Sequence, residues 1–228
     1  MDNGGLRPPY GEKVTSPLQQ LAHVYWIGGS PCSGKSSTAQ ALAGHFGLRY
    51  YNCDDAFFRH AGTVTPEQQP AFHRVTHYSP EELWMRPVAD LLADELAVYR
   101  EEFPLIVVDL LALPVDRPVI AEGAALLPEL VAPLLAAQNR AVWMLPTPDF
   151  QWQHYRQRDW ASEVVKDCSD PAQAFRNWME RDVQFARQVR GQADRLGLLA
   201  IKVDGSQDSK TVTAQVQMYF DLKQGCVT

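Results

Sequence analysis

The sequence predicts an α/β protein: a three-layer domain in which a five-stranded parallel sheet is flanked by helices. Three observations carry this. Five short, apolar, β-prone runs recur along the chain, each followed by a helix-patterned segment. A glycine-bearing octapeptide, Gly29-Ser30-Pro31-Cys32-Ser33-Gly34-Lys35-Ser36, lies between the first run and the first helical segment. The second and third runs end in acids, and an open α/β sheet gathers such residues at the carboxyl ends of its strands, where ligands bind. With 228 residues, 46% apolar and 21% charged, the chain can build one sizeable core and is not of disordered composition.

Residues 1 to about 22, with Pro8-Pro9 and Pro17, read as a loose arm with room for one helical turn. The first strand covers His23 to Gly28. After the octapeptide, Ala39, Leu42, Ala43 and Phe46 stand at i, i+3, i+4 and i+7, one face of a helix that stops at Gly47. Leu48 to Cys53 is the second strand, ending at Asp54-Asp55. Residues 56–80 mix aromatic, basic and imidazole groups with three prolines, and read as an irregular, substrate-covering insertion. Within it His73 and His77 stand at i and i+4, but with no third ligand nearby they read as solvated or substrate-facing histidines.

Ser79-Pro80-Glu81-Glu82 is a helix start, and that helix is expected to run to Phe103. Pro104 is expected to open another, through Leu113. Its apolar run could also be a strand ending at Asp109, but Leu105, Val108, Leu111 and Ala112 fall at helical spacing. Arg117 to Gly123 is a better third strand and ends at Glu122. A helix over Leu126–Ala137, a fourth strand over Arg140–Leu145, a polar helix over Gln151–Trp160, a long helix over Ala172–Leu196, a fifth strand over Leu198–Val203 and a last helix over Ser209–Leu222 complete the chain before a short tail. The expected organisation is one domain over residues 23–222, with a lid at about 150–175.

The octapeptide has the form G-x-x-x-x-G-K-S, a phosphate-binding P-loop (Walker A) in the strand–loop–helix setting that its mechanism needs. By chance the pattern arises on the order of once in a hundred chains of this length. Its backbone N–H groups and the N-terminus of the following helix form an anion nest for Gly29 to Ser37 to wrap around a polyphosphate. Lys35 is expected to reach the β- and γ-phosphates and Ser36 to ligate Mg²⁺. Glu122 takes the Walker-B position, holding Mg²⁺ through water or contacting the acceptor, and Asp54 and Asp55 lie on the reaction side. Arg156 and Arg158 in the lid, then Arg176, Arg181, Arg187 and Arg190 on the long helix, are candidates to face the phosphates. Asp182 falls in the apolar face of that helix and needs a buried partner, an arginine or a helix N-terminus.

The net charge of −6 with no Lys/Arg run disfavours nucleic acid as the main partner. No apolar segment is long enough to span a bilayer, and Met1 to Gly5 show no secretory pattern. Cys32, Cys53, Cys168 and Cys226 show no zinc spacing; Cys32 and Cys53 read as reduced thiols, so a cytoplasmic protein is expected.

The assembled pattern resembles the P-loop kinase group of the P-loop NTPases: nucleoside and nucleotide kinases, shikimate and gluconate kinases and chloramphenicol phosphotransferase. The likeness rests on Gly29 to Ser37, Asp54-Asp55, Glu122-Gly123, the basic segment around Arg156 and Arg158, and Asp204-Gly205-Ser206. It implies an ATP- and Mg²⁺-dependent kinase for a small acceptor. In that reading a strand-two acid, Asp54 or Asp55, acts on the acceptor hydroxyl, lid arginines contact the phosphates, and Asp204 and Gly205 pack on the adenine. Asp54 is favoured as nearer the strand; an acid followed by a small residue and an aromatic, as in uridine-kinase-like enzymes, would favour Asp55. The strand-three ending matches neither the adenylate kinase nor the shikimate kinase form, so the acceptor stays open among nucleoside, nucleotide, sugar acid and antibiotic. The alternative is a nucleotide-binding regulatory or partner-binding module with slow ATP hydrolysis.

Overall fold

The five strands are β1 (Val24–Gly29), β2 (Arg49–Asn52), β3 (Val119–Glu122), β4 (Ala141–Pro146) and β5 (Ala200–Val203), as seen in a computed structural model that describes residues 17–223. All pairs are parallel and the order is β2-β3-β1-β4-β5. Every residue of β1, β3 and β4 is buried, as expected of central parallel strands covered on both faces. Pairing sets Glu122 opposite both Ile27 of β1 and Asn52 of β2, so the acid at the end of β3 lies beside the start of the P-loop.

The helices are α1 (Pro17–Gln20), α2 (Lys35–Phe46), α3 (Cys53–Ala61), α4 (Pro70–Thr76), α5 (Pro80–Trp84), α6 (Val88–Ala112), α7 (Pro128–Val131), α8 (Pro148–Arg156), α9 (Asp159–Val165), α10 (Pro171–Arg195) and α11 (Ser209–Tyr219). On one side of the sheet α2 and α11 bury Leu42, Val216 and Phe220 against Ile27, Ile120 and Val142. On the other, α6 and α10 bury Phe103, Ile106, Phe185 and Val189 against Trp26 and Trp143. A third cluster, Trp84, Tyr155, Met179 and Trp178, lies beneath α8 and α9. Among the described residues, no helix is long and apolar enough to cross a membrane.

Several expected elements are redrawn. Residues 56–80 are largely helical, not irregular: Asn52 caps α3, and Pro70 and Pro80 open α4 and α5. The helix expected over residues 80–103 breaks at Met85–Pro87, because Pro87 has no N–H and disfavours helical backbone at Arg86. Pro104 then lies inside α6 rather than opening a new helix. Its lost hydrogen bond is outweighed by burial of Phe103, Ile106 and Leu110 around it. Residues 105–109 are helix, not strand, as their spacing implies. The helix expected over 126–137 shortens to α7 and one 3-10 turn, since Pro133 cannot continue it. The polar helix expected over 151–160 is two, with Thr147 capping α8 through a bond from the Phe150 amide. Cys226 and most of the arm and tail lie outside the described residues.

Candidate active site

The P-loop leaves β1 at Gly29, where φ is 126° and a side chain would place its Cβ 2.0 Å from the Met144 carbonyl oxygen of β4. Only glycine allows the loop to leave that close to the neighbouring strand. The loop then grips itself: the Ser33 hydroxyl and Lys35 Nζ both donate to the Ser30 carbonyl, at 2.9 and 2.8 Å. Gly34, with φ 82°, precedes α2 and offers no side chain to cap it. The first amides of α2 therefore have no side-chain acceptor, which is the electrostatic condition for holding an anion.

Lys35 is buried, and burial lowers its pKa against the opposing charges of Glu122 and then Asp54. Glu122 is 1% exposed; its Oε1 accepts from the Tyr50 hydroxyl at 2.7 Å, and Tyr50 Oη in turn accepts from Asn52 Nδ2 at 3.1 Å. Burial pushes the Glu122 carboxyl up, while the Lys35 charge and the Tyr50 bond oppose it. Its second oxygen, Oε2, is buried without a hydrogen bond. The Ser36 hydroxyl favours the charged form of Glu122 without reaching Oε2 in hydrogen-bond geometry. An orphaned carboxylate oxygen beside a half-buried hydroxyl is a donor set that fits a hard, oxygen-liganded cation such as Mg²⁺.

One cavity lies over the loop. Pro31 to Ser37 line its floor, with Asp54, Tyr99, Tyr155, Arg158 and Trp160 around it. Asp55 does not line it. The two aspartates differ because Asn52, not an aspartate, is the cap of α3: its Oδ1 accepts from both the Asp54 and Asp55 amides. Both acids are thereby left in the first turn, and the helix turns Asp55 away. Of the six candidate arginines only Arg158 lines this cavity, with its guanidinium 5.3 Å from the Tyr155 ring and 5.5 Å from the Trp160 ring. Arg156 instead lies over Trp152 and lines a hollow on the outer side of α8 and α9. Arg176 bonds Gln173, and Arg187 and Arg190 line a separate hollow with Lys202.

A second hollow opens on the far side of the loop, between Ser37, Thr38, Phe150, His154, Val203 and Gln207. The Phe150 and His154 rings are 4.0 Å apart there. Asp204 and Gly205 do not line it: Asp204 turns to Ser206 and Lys202, and Gly205 packs under Phe150. Val203 and Gln207, one and two positions away, line it instead. The His73 and His77 rings stack at 4.3 Å, and no metal-binding cluster occurs among the described residues.

A phosphate loop issuing from the central strand of a five-stranded parallel sheet, with helices on both faces, decides the architecture. This is a three-layer α/β fold with a G-x-x-x-x-G-K-S loop at the end of its central strand. No protein-family model and no curated protein matches the chain. Similar solved structures include the shikimate kinase from Acinetobacter baumannii in complex with shikimate (16% identity, 89% of this chain and 94% of that one, TM-score 0.44). The shikimate kinase from Aquifex aeolicus (19%, 87% and 96%, TM-score 0.42) and a NadR protein in complex with NR (11%, 93% and 55%, TM-score 0.44) are others.

Within this fold the sequence did not reveal how α10 is tied to the loop. Asp182, fully buried, meets Arg181 Nη2 at 2.6 Å and accepts from the Tyr155 hydroxyl at 3.2 Å, so its expected arginine partner is its own neighbour. The Asp182 carbonyl accepts from Ser30 Oγ at 3.4 Å. Arg181 also pairs with Glu95 Oε2 of α6 at 3.3 Å. Two carboxylates from distant segments thus hold one buried guanidinium, and no local spacing signals that.

Proposed function

We propose that the protein is an ATP- and Mg²⁺-dependent kinase that phosphorylates a small hydroxylated acceptor, acting in the cytoplasm. The observation that carries this is the single cavity in which the P-loop, Asp54 and Arg158 face one another. The loop amides and Lys35 hold the β- and γ-phosphates. Asp54 takes the proton of the acceptor hydroxyl, whose oxygen attacks the γ-phosphorus; the bond from that phosphorus to the β–γ bridging oxygen breaks, and ADP leaves with the electron pair. Arg158, carried on the turn between α8 and α9, stabilises charge on the moving phosphoryl group, and this segment is the lid. Ser36, and Glu122 through water, would hold Mg²⁺, which would supply positive charge against the phosphates. The base of the nucleotide occupies the hollow beside Phe150 and His154.

The experiment is ADP release measured with Mg-ATP, with and without a panel of acceptors. A kinase releases ADP in step with added acceptor, and Lys35→Ala lowers that rate by about 10²–10³-fold. Full transfer by Lys35→Ala would end the proposal. Slow hydrolysis indifferent to every acceptor would favour a regulatory ATPase module instead.

A further inference from the structure

Another cavity, of about 200 Å³, adjoins the one over the P-loop, and Tyr99 lines both. Its walls are aromatic and aliphatic: Phe57 from α3, Trp84 from α5, and Tyr99 and Val98 from α6. It is smaller than the ~300–1,000 Å³ of drug-sized pockets, so it takes one ring system.

The charges in this cavity are already matched. Asp94 accepts from both Arg74 and Arg86, each at 2.7 Å. Arg181 is held between Asp182 and Glu95 and lies over the Trp84 ring at 5.0 Å. Three arginines thus face three carboxylates, and neither of the two arginines lining the wall is free for an anionic ligand. To bind a carboxylate or phosphate, one of these pairs would have to break, leaving a carboxylate uncompensated. Glu95, 8% exposed, adds a second bias: Oε1 accepts from Tyr99 Oη at 3.1 Å, while Oε2 makes its ionic contact to Arg181 but no hydrogen bond. Glu95 lines the cavity, and its carboxyl group has lone pairs beyond these contacts, so a ligand N–H or O–H can donate to it.

We infer that this cavity is the acceptor site of the proposed kinase and that it selects a flat heteroaryl alcohol bearing an N–H or O–H donor and no negative charge. The ring lies among Phe57, Trp84 and Tyr99, its donor meets the Glu95 carboxyl group, and its hydroxyl-bearing arm passes Tyr99 towards Asp54. Burial pushes the Glu95 carboxyl up to about 7, so near neutral pH it serves ring donors and, when protonated, ring acceptors. The inference rests on the kinase reading and narrows it: anionic acceptors such as sugar acids and nucleoside monophosphates are refused.

The test is a melting-temperature and ADP-release panel on the full chain with Mg-ATP. Its arms are the four common ribonucleosides and pyridyl alcohols, the matching 5′-monophosphates, and shikimate and gluconate. The expected result is that one or more uncharged heteroaryl alcohols stabilise the protein and drive ADP release, while each matching monophosphate is at least about tenfold weaker. Glu95→Gln should weaken the active alcohol about tenfold, having lost the charged acceptor. Phe57→Leu, at a half-buried wall position, should weaken it several-fold and serves if Glu95→Gln does not fold, as judged by its circular dichroism. An anionic acceptor that outperforms its uncharged counterpart overturns the inference, as does silence from every heteroaryl alcohol at millimolar concentration. Mg-ATP binding by the wild-type chain, read in the same runs, separates the two claims: its absence ends the kinase reading, whereas its presence with an anionic acceptor ends only this one.

Discussion

Asp54 and Asp55 share a residue type, a helix turn and a capping partner, yet only Asp54 reaches the cavity over the P-loop. That difference gives a paired prediction. Asp54→Asn should lower turnover by about 10²–10⁴-fold. Asp55→Asn, a surface change, should stay within about twofold. Steady-state kinetics on both variants checks this, and a reversed order would move the base to Asp55. Lys35 and Ser36 were legible from sequence because the loop needs them at fixed spacing. Asn52 had a readable signal too, an Asn two residues before a pair of acids at a helix start, which is cap chemistry. Glu95 and Tyr99 had none. They sit on a long helix whose packing against α10 and α3 exists only in the folded chain.

At the scale of elements, α3 and α6 meet over a buried polar cluster. His60 lies between Glu102 and Asp109, 3.2 Å from each, and Asp109 also accepts from Tyr51 and Arg59. Burial, reinforced by the charges of Asp54 and Asp109, pushes the Glu102 carboxyl up to about 8. The folded value lies above the unfolded one, so the fold favours the protonated form. Its stability is fully expressed below about pH 4.5 and is lost as pH rises through 8. Glu102→Gln removes that ionisation and keeps the shape. Its melting temperature should match the wild type near pH 5 and exceed it above pH 8; a difference constant across pH would refute the assignment. In α10, Asp182→Ala strips the buried Arg181 of its closer partner and should cost about 3 kcal/mol in urea unfolding. The strands were readable because each is short, apolar and bounded by turn residues. The helices of residues 56–80 and the break point between α5 and α6 were not, since Pro87 and Pro104 look alike in sequence and only the burial around Pro104 keeps it helical.

For the whole molecule, ligand binding couples to stability. If Mg-ATP binds only the folded state, a hundredfold excess over Kd adds about 2.7 kcal/mol. For a chain of this size that is a rise of roughly 5–10 °C in melting temperature. The rise should vanish in Lys35→Ala, which a thermal-shift titration reads directly. The sheet order was not legible from sequence, because strand pairing depends on contacts far apart along the chain, whereas the alternation of strand and helix was. The tie of Ser30 to the Asp182 carbonyl, and of Arg181 to both Asp182 and Glu95, has an evolutionary consequence. Selection for a new acceptor that acts through Glu95 or Arg181 must alter the seating of the loop as well, so such lineages trade substrate range against ATP affinity. Phe57, Val75 and Leu83 stand outside that bond network, and a library randomised there should change its substrates while leaving the affinity for ATP as it was.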